Sequence, residues 1–191
     1  MSLLTTSAVR SRAKRAVPCN LSAASVLTER MHKQASVIGH DIFLSHAFDD
    51  REVILGVALT LEDLGYTVYL DWRDDPALDR KNINLSTALK LRERMRSSKC
   101  LFFATTENTT NSRWMPWELG FKDGQSGKAA ILPVLDYLDT SFEGNEYLGI
   151  YPYITQQKNN LGKEELWVRE SRTIYVVFSA WLSGVNPYSH N

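Results

Sequence analysis

Two indoles and one carboxylate stand close together in Ser112-Arg113-Trp114-Met115-Pro116-Trp117-Glu118-Leu119-Gly120, shortly after the apolar run Cys100-Leu101-Phe102-Phe103-Ala104. Trp114 and Glu118 are four residues apart, so a helix through both puts them on one face. Pro116 suits a first helical turn, where its missing N–H costs nothing. The stretch follows a predicted strand, and in open α/β sheets ligands bind outside the carboxyl ends of the strands. A carboxylate beside an indole face suits a ligand group that develops positive charge. Aromatic residues at helical spacing also pack helices together, and an acidic residue in a first turn also complements the helix dipole. On its own, then, the stretch leaves packing and catalysis both open.

The elements that must position it are readable on either side. Asp41-Ile42-Phe43-Leu44-Ser45 is a buried strand, and His46-Ala47-Phe48-Asp49-Asp50 is the loop leaving its carboxyl end. Asp49 or Asp50 is placed to cap a helix carrying Val53, Leu55, Val57, Ala58, Leu59, Leu61 and Leu64, with Gly65 as its stop. Thr67 to Asp71 reads as a second strand, and Trp72-Arg73-Asp74-Asp75-Pro76 as a polar loop in which Asp74, Asp75 and Asp79 are solvated. The spacing of Leu85, Ala88, Leu89, Leu91 and Met95 predicts a helix over 83–97, just before the Cys100 strand. Beyond the Trp–Glu helix, Ala129 to Leu135 is a fourth strand, and a long loop with Phe142, Tyr147 and Leu148 leads to a fifth over 150–154. Leu166 to Arg169 reads as a further short strand, and Thr173 to Leu182 as a closing helix.

Strands alternating with helices predict a parallel sheet covered on both faces. The expected fold is α/β, a flavodoxin-like three-layer sandwich with a five-stranded parallel sheet and an N-terminal helical extension. Two units follow: a basic leader with an amphipathic helix over 1–39, and the folded domain over 40–191. Residues 1–28 form a mobile leader, and Leu21 to Met31 the helix that docks on the domain.

The chain has 191 residues, 43% of them hydrophobic, enough for one real core. Its net charge is zero and its pI near 6.9, which argues for neither nucleic acid nor membrane as a partner. The charge is uneven, however: residues 1–40 hold six lysines and arginines against Glu29 alone. Two cysteines, Cys19 and Cys100, make no disulfide framework and point to a reducing, cytoplasmic compartment. Four scattered histidines offer no metal cluster, and no stretch reaches the ~20 apolar residues of a spanning helix.

Several of these segments, in order, resemble the boxes of TIR (Toll/interleukin-1 receptor) domains. Asp41-Ile42-Phe43-Leu44-Ser45-His46-Ala47 with Asp49-Asp50 resembles the opening box, and Tyr66 to Asp71 with its loop resembles the second strand and BB loop. Ser97 to Thr105, then Ser112-Arg113-Trp114 and Trp117-Glu118-Leu119-Gly120, resemble the third strand and the W-x-x-x-E helix. The resemblance covers roughly residues 40 to 185 and is similar in character to bacterial stand-alone TIR proteins, including those of Thoeris-type antiphage systems.

The resemblance implies cleavage of the nicotinamide–ribose bond of NAD, with Glu118 as the essential glutamate and Trp114 as the motif tryptophan. It implies substrate contacts from Ser45, His46, Ala47 and Phe48, and a closing or regulatory BB loop at Asp71, Trp72 and Arg73. No cofactor or metal is expected, NAD being the substrate. Self-association through the BB loop, with exposed aromatics at Trp72 and Tyr69, and a separate effector that senses the product are further implied. The chemistry agrees. Nicotinamide leaves NAD as a neutral molecule from a cationic group, so the reacting ribose becomes oxocarbenium-like, the kind of centre that glycosidases meet with carboxylates. His46 need not act as an acid, since this leaving group takes no proton. The competing reading is a non-catalytic TIR module that works by assembly. A deoxyribosyltransferase-like enzyme fits the boxes less well, and a receiver domain lacks its aspartate, since the third strand ends in Thr105-Thr106.

Overall fold

The computed structural model describes residues 3–16, 39–78, 84–106, 109, 112–136 and 146–190. Five parallel strands form the centre: β2 (Ile42–Ser45), β3 (Val68–Tyr69), β4 (Cys100–Thr105), β5 (Ala129–Leu135) and β6 (Tyr153–Lys158). Their order is β3-β2-β4-β5-β6, with Ser45 opposite Phe103 and Thr105 opposite Pro133. This is the flavodoxin-like order, which reverses direction between β2 and β4 and opens a crevice at their carboxyl ends.

The near-continuous apolar strands are explained by helices on both faces. Ile42, Leu44, Phe102 and Ala104 meet Val53, Ile54, Val57 and Leu61 of α2 (Arg51–Asp63) on one side. Phe43, Leu101 and Phe103 meet Leu91 and Met95 of α4 (Leu85–Ser97) and Met115 and Leu119 of α5 (Trp114–Ser126) on the other. The alternation along a strand thereby sends Ser45 to the same face as Phe43, the face that carries α5.

Four expectations are corrected. The five parallel strands stand as expected, but the sheet continues antiparallel from β6 through β7 (Glu164–Arg169), which takes in the strand expected over 166–169, to β8 (Ile174–Val177) and β9 (Tyr188–Ser189). Residues 173–182 accordingly divide between β8 and the short helix α6 (Phe178–Leu182); the β-branched Ile174, Val176 and Val177 decide for strand. The segment after β3 is not a polar loop but a helical turn, α3 (Asp71–Asp74), started by the Asp74 carboxylate accepting the Leu70 N–H at 2.6 Å. Its acids are not solvated either. Asp75 accepts two hydrogen bonds from Arg94, at 2.7 and 2.9 Å, and one from the Tyr69 hydroxyl at 2.8 Å.

The start of the chain is the fourth. Residues expected to be a mobile leader form β1 (Leu4–Thr5) and α1 (Thr6–Ala16). β1 runs parallel to β5 at Val134 and Leu135, beside its carboxyl end, and Leu3 joins the core cluster of Trp114 and Phe103. α1 buries Val9 and Ala13, four residues apart, against α2. Gly56 makes that approach possible, since a Cβ there would sit 1.9 Å from the Val9 carbonyl oxygen. Arg12 adds a paired contact to Asp63 at 2.5 and 2.8 Å. The helix expected over Leu21 to Met31, with Asp79 and Phe142, lies outside the described residues.

Candidate active site

Ser45 ends β2 and Glu118 sits one turn into α5, and the topology brings them together at the reversal point of the sheet. The Ser45 hydroxyl donates to Glu118 Oε2 at 2.6 Å, and both side chains are fully buried. A hydroxyl bond to a carboxylate is of the short, charge-assisted kind and fixes the rotamer of the acid. The serine could have turned to nearby backbone instead. It reaches across 73 positions of chain to the glutamate.

The start of α5 is set locally. Ser112 Oγ accepts the Met115 N–H at 3.3 Å, and Pro116 occupies the first turn. Trp114 shares the Glu118 face, as its spacing requires, and is buried among Phe103, Ala47 and Tyr69. Trp117 meets Trp114 edge to face at 5.5 Å and is half-buried under the Arg92 guanidinium at 5.5 Å. The indoles are thus divided between wall and outer surface.

The loop after β2 is held at three points. His46 Nδ1 lies 2.8 Å from the Leu44 carbonyl oxygen, which can only accept, so this nitrogen carries a proton. Its Nε2 lies 3.3 Å from Asp71 Oδ1, with both side chains buried. His46 is therefore a strut between the β2 loop and α3. Asp71 also accepts the Trp72 N–H at 2.7 Å. Asp50, expected as a helix cap, makes no such bond and instead accepts from the Thr106 hydroxyl, tying the β2 loop to the β4 loop.

The structure therefore gathers Ser45, Ala47, Trp114 and Glu118 in one buried cluster or contact, with His46 and Asp71 adjoining through the strut. Phe48 stands apart, 40% exposed, beneath the Arg51 guanidinium at 4.3 Å. Trp72 packs toward α1 and α2, its indole N–H buried without an acceptor among the described residues. Arg73 is turned into the domain: it donates to Glu62 at 2.6 Å, to Asp74 at 3.0 Å and to the Val68 carbonyl. Burial pulls its pKa down, but the carboxylates of Asp74 and Glu62 outweigh burial and leave it raised. Tyr69, expected as an exposed aromatic, is buried beneath Phe43 and Arg94, so it offers no surface for assembly.

Sequence reasoning missed Thr105 and Thr106, noting them only for the aspartate they lack. Thr106 latches Asp50, and Thr105 Oγ1 is buried at the carboxyl end of β4 without a hydrogen-bond partner among the described residues. Their position at a strand end beside the crevice was the available signal. Lys122, one turn beyond Glu118, is also buried; its ammonium donates to the Met95 and Ser98 carbonyls at 3.0 and 2.7 Å, capping α4. Desolvation lowers its pKa.

A fully buried carboxylate, oriented by a hydroxyl beside an indole wall, can stabilise a developing cation strongly because the surroundings are of low dielectric. Among the described residues no group of three or more histidines, cysteines or acids could hold a metal ion.

The sequence profile of the TIR domain matches residues 42–170. The chain belongs to the TIR domain family. That stretch begins at β2 and ends just past β7, so it contains the Ser45–Glu118 pair and the intact Trp114-to-Glu118 motif of a TIR domain. Among curated proteins, the chain is 47% identical over 165 residues to "Probable 3' cyclic ADP-D-ribose synthase ThsB'" of Bacillus cereus (strain MSX-D12), covering 85% of this TIR protein and 86% of that one. It is 31% identical over 83 residues to "Putative cyclic ADP-D-ribose synthase TIR2" of Cytobacillus dafuensis, covering 43% of this chain and 22% of that protein.

Proposed function

We propose that this TIR domain cleaves the nicotinamide–ribose bond of NAD and closes the ADP-ribosyl product into a ring, acting as a cyclic ADP-ribose synthase in antiphage defence. The observation that carries the reading is the fully buried Glu118 carboxylate, held at 2.6 Å by Ser45 at the reversal point of the sheet. The cyclase names of the two relatives, one of them matched along most of its length, support the same activity.

In this reading nicotinamide departs with the electrons of the C–N bond, becoming neutral, and Glu118 stabilises the oxocarbenium-like ribose left behind. Ser45 is the positioning residue that keeps the carboxylate aimed. Trp114 and Ala47 wall the site, and the His46–Asp71 strut sets the distance between the β2 loop and α3. Arg73 supports α3 from beneath. A nucleophile within the product itself captures the ribosyl centre only where water is kept out, and burial at Glu118 suits that outcome.

The catalytic domain spans 40–191 and takes from the basic segment 1–39 the added strand β1 and the docked helix α1. The enzyme works in the cytoplasm, self-associates through TIR–TIR contacts, and passes its product to a separate effector. Among the described residues no helix is long and apolar enough to cross a membrane.

The test is to incubate concentrated protein with NAD and resolve the products by liquid chromatography and mass spectrometry. Nicotinamide together with a product lighter than ADP-ribose by one water is the expected result. Linear ADP-ribose alone would replace cyclisation by hydrolysis. Absence of turnover at all concentrations, with sedimentation giving an assembled species, would favour the non-catalytic module.

A further inference from the structure

The antiparallel part of the sheet, away from Glu118, carries an unclaimed polar cavity. β6, β7 and β8 send Ile154, Leu166, Val168 and Val176 to the main core on one face. The alternate residues, Thr155, Gln157, Trp167, Arg169 and Tyr175, fall on the other face. There a cavity of about 230 Å³ is lined by Gln157, Lys158, Trp167, Arg169 and Tyr175, with Asn159, Asn160 and Glu165 completing its wall.

Arg169 is the anomaly. It is 4% exposed, yet its hydrogen bonds go to neutral oxygens: Thr155 Oγ1 at 3.0 Å, Gln157 Oε1 at 3.2 Å and the Arg172 carbonyl at 3.4 Å. Buried guanidinium groups are ordinarily paired with an acid, because desolvating an unpaired charge is costly. Arg73 shows the ordinary solution, with two carboxylates. Burial accordingly lowers the Arg169 pKa, where the acids around Arg73 leave that one raised. Trp167 adds a second unmet group, an indole N–H buried without an acceptor among the described residues. The nearest acid in the wall, Glu165, accepts from the Asn159 amide at 3.0 Å.

We propose that this cavity is a second ligand site, and that it takes a phosphate group. Arg169 uses three of its five N–H donors, leaving one on each terminal nitrogen in the fork that matches an oxyanion. Trp167 offers an indole N–H, and Lys158, in the wall, adds a positive charge. These donors stand on separate side chains, and the three terminal oxygens of a phosphate can meet them individually, where a carboxylate offers two. Trp167, edge-on to Tyr175 at 5.6 Å, provides apolar surface for whatever carries the phosphate, while the Tyr175 ring is itself covered by Arg169 at 4.3 Å and stacked on His190 at 3.8 Å. The inference does not rest on the activity proposed for Glu118.

The test is a nuclear magnetic resonance titration of the indole N–H signals with inorganic phosphate, and separately with AMP, at constant ionic strength. The chain has five tryptophans, so the Trp167 signal is identified by its loss in Trp167→Phe. Saturable movement of that signal is expected in the full-length protein and equally in Glu118→Ala. Arg169→Gln should weaken binding roughly tenfold to a hundredfold, since a charge-assisted bond is lost. Lys158→Ala, an exposed change that leaves folding intact, should weaken it severalfold. AMP binding at least tenfold tighter than phosphate would make the ligand a nucleotide, and equal binding would make it free phosphate. A Trp167 signal that stays still, moves equally with chloride, or responds unchanged in both Arg169→Gln and Lys158→Ala would overturn the proposal.

Discussion

The parallel and antiparallel halves of this sheet treat buried charge in opposite ways. In the parallel half both faces are covered, and the buried Arg73 of α3 is neutralised by Glu62 and Asp74. In the antiparallel half one face lies on the core while the other bears the Arg169 cavity, and Arg169 is surrounded by neutral oxygens. A buried charge with matched acids holds structure together; one held only by dipoles is available to a ligand.

Mutating the two arginines tests the contrast first. Arg73→Ala strands Glu62 and Asp74 and should cost about 3–5 kcal/mol in chemical denaturation. Arg169→Gln removes a cation that has no acid to strand, and should cost no more than about 1.5 kcal/mol. Equal losses would erase the distinction between the halves. Gly56→Ala comes next: it drives a methyl group into the Val9 carbonyl and should cost about 1–3 kcal/mol. Trypsin should then cut at Arg10, Arg12, Lys14 and Arg15 faster than in the parent protein, because α1 has undocked.

A pH experiment gives the smallest effect. His40 precedes β2 at its amino end, opposite the carboxyl end that bears the active site, and is buried against the Tyr69 ring at 5.6 Å, with neither ring nitrogen hydrogen-bonded among the described residues. Burial lowers its pKa, with Arg73 and Arg94 adding to burial and Asp74 and Asp41 opposing it. As pH falls below about 6.5, the unfolded chain gains a proton that the folded chain resists, so stability falls with pH in that window. His40→Phe should flatten this slope, which is at most about 1.4 kcal/mol per pH unit. An unchanged slope between pH 6.5 and 5 would show that another group sets it.

The site was legible where one element carried the signal. Trp114 and Glu118 lie on one helical face by spacing alone, and Ser45 was marked by the resemblance of its strand and loop to the opening box of a TIR domain. What sequence could not supply were contacts between distant elements. The Ser45–Glu118 bond joins positions 73 apart, and the Asp50–Thr106 latch joins positions 56 apart. Side-chain competition also misled local reading. Asp74 capping Leu70 turned a polar loop into α3, and Arg94 drew Asp75 and Tyr69 inward from the surface. At the start, the small and basic residues of α1 read as a tail because its partner, the glycine-bearing face of α2, is in another element. The β-branched content of Ile174, Val176 and Val177 was the strand signal set aside when residues 173–182 were read as one helix, because a short apolar run carries no alternation to decide between the two.

The central claim is that the Glu118 charge, aimed by Ser45, performs the cleavage. Its most direct measurement is the rate of nicotinamide release from NAD by Glu118→Gln, which keeps size and hydrogen bonding while removing the charge, with melting temperature recorded alongside. A fall of about a thousandfold or more in a protein that melts within a few degrees of the parent is the predicted result. Release within about tenfold of the parent rate would contradict it and move the chemistry away from the Ser45–Glu118 pair.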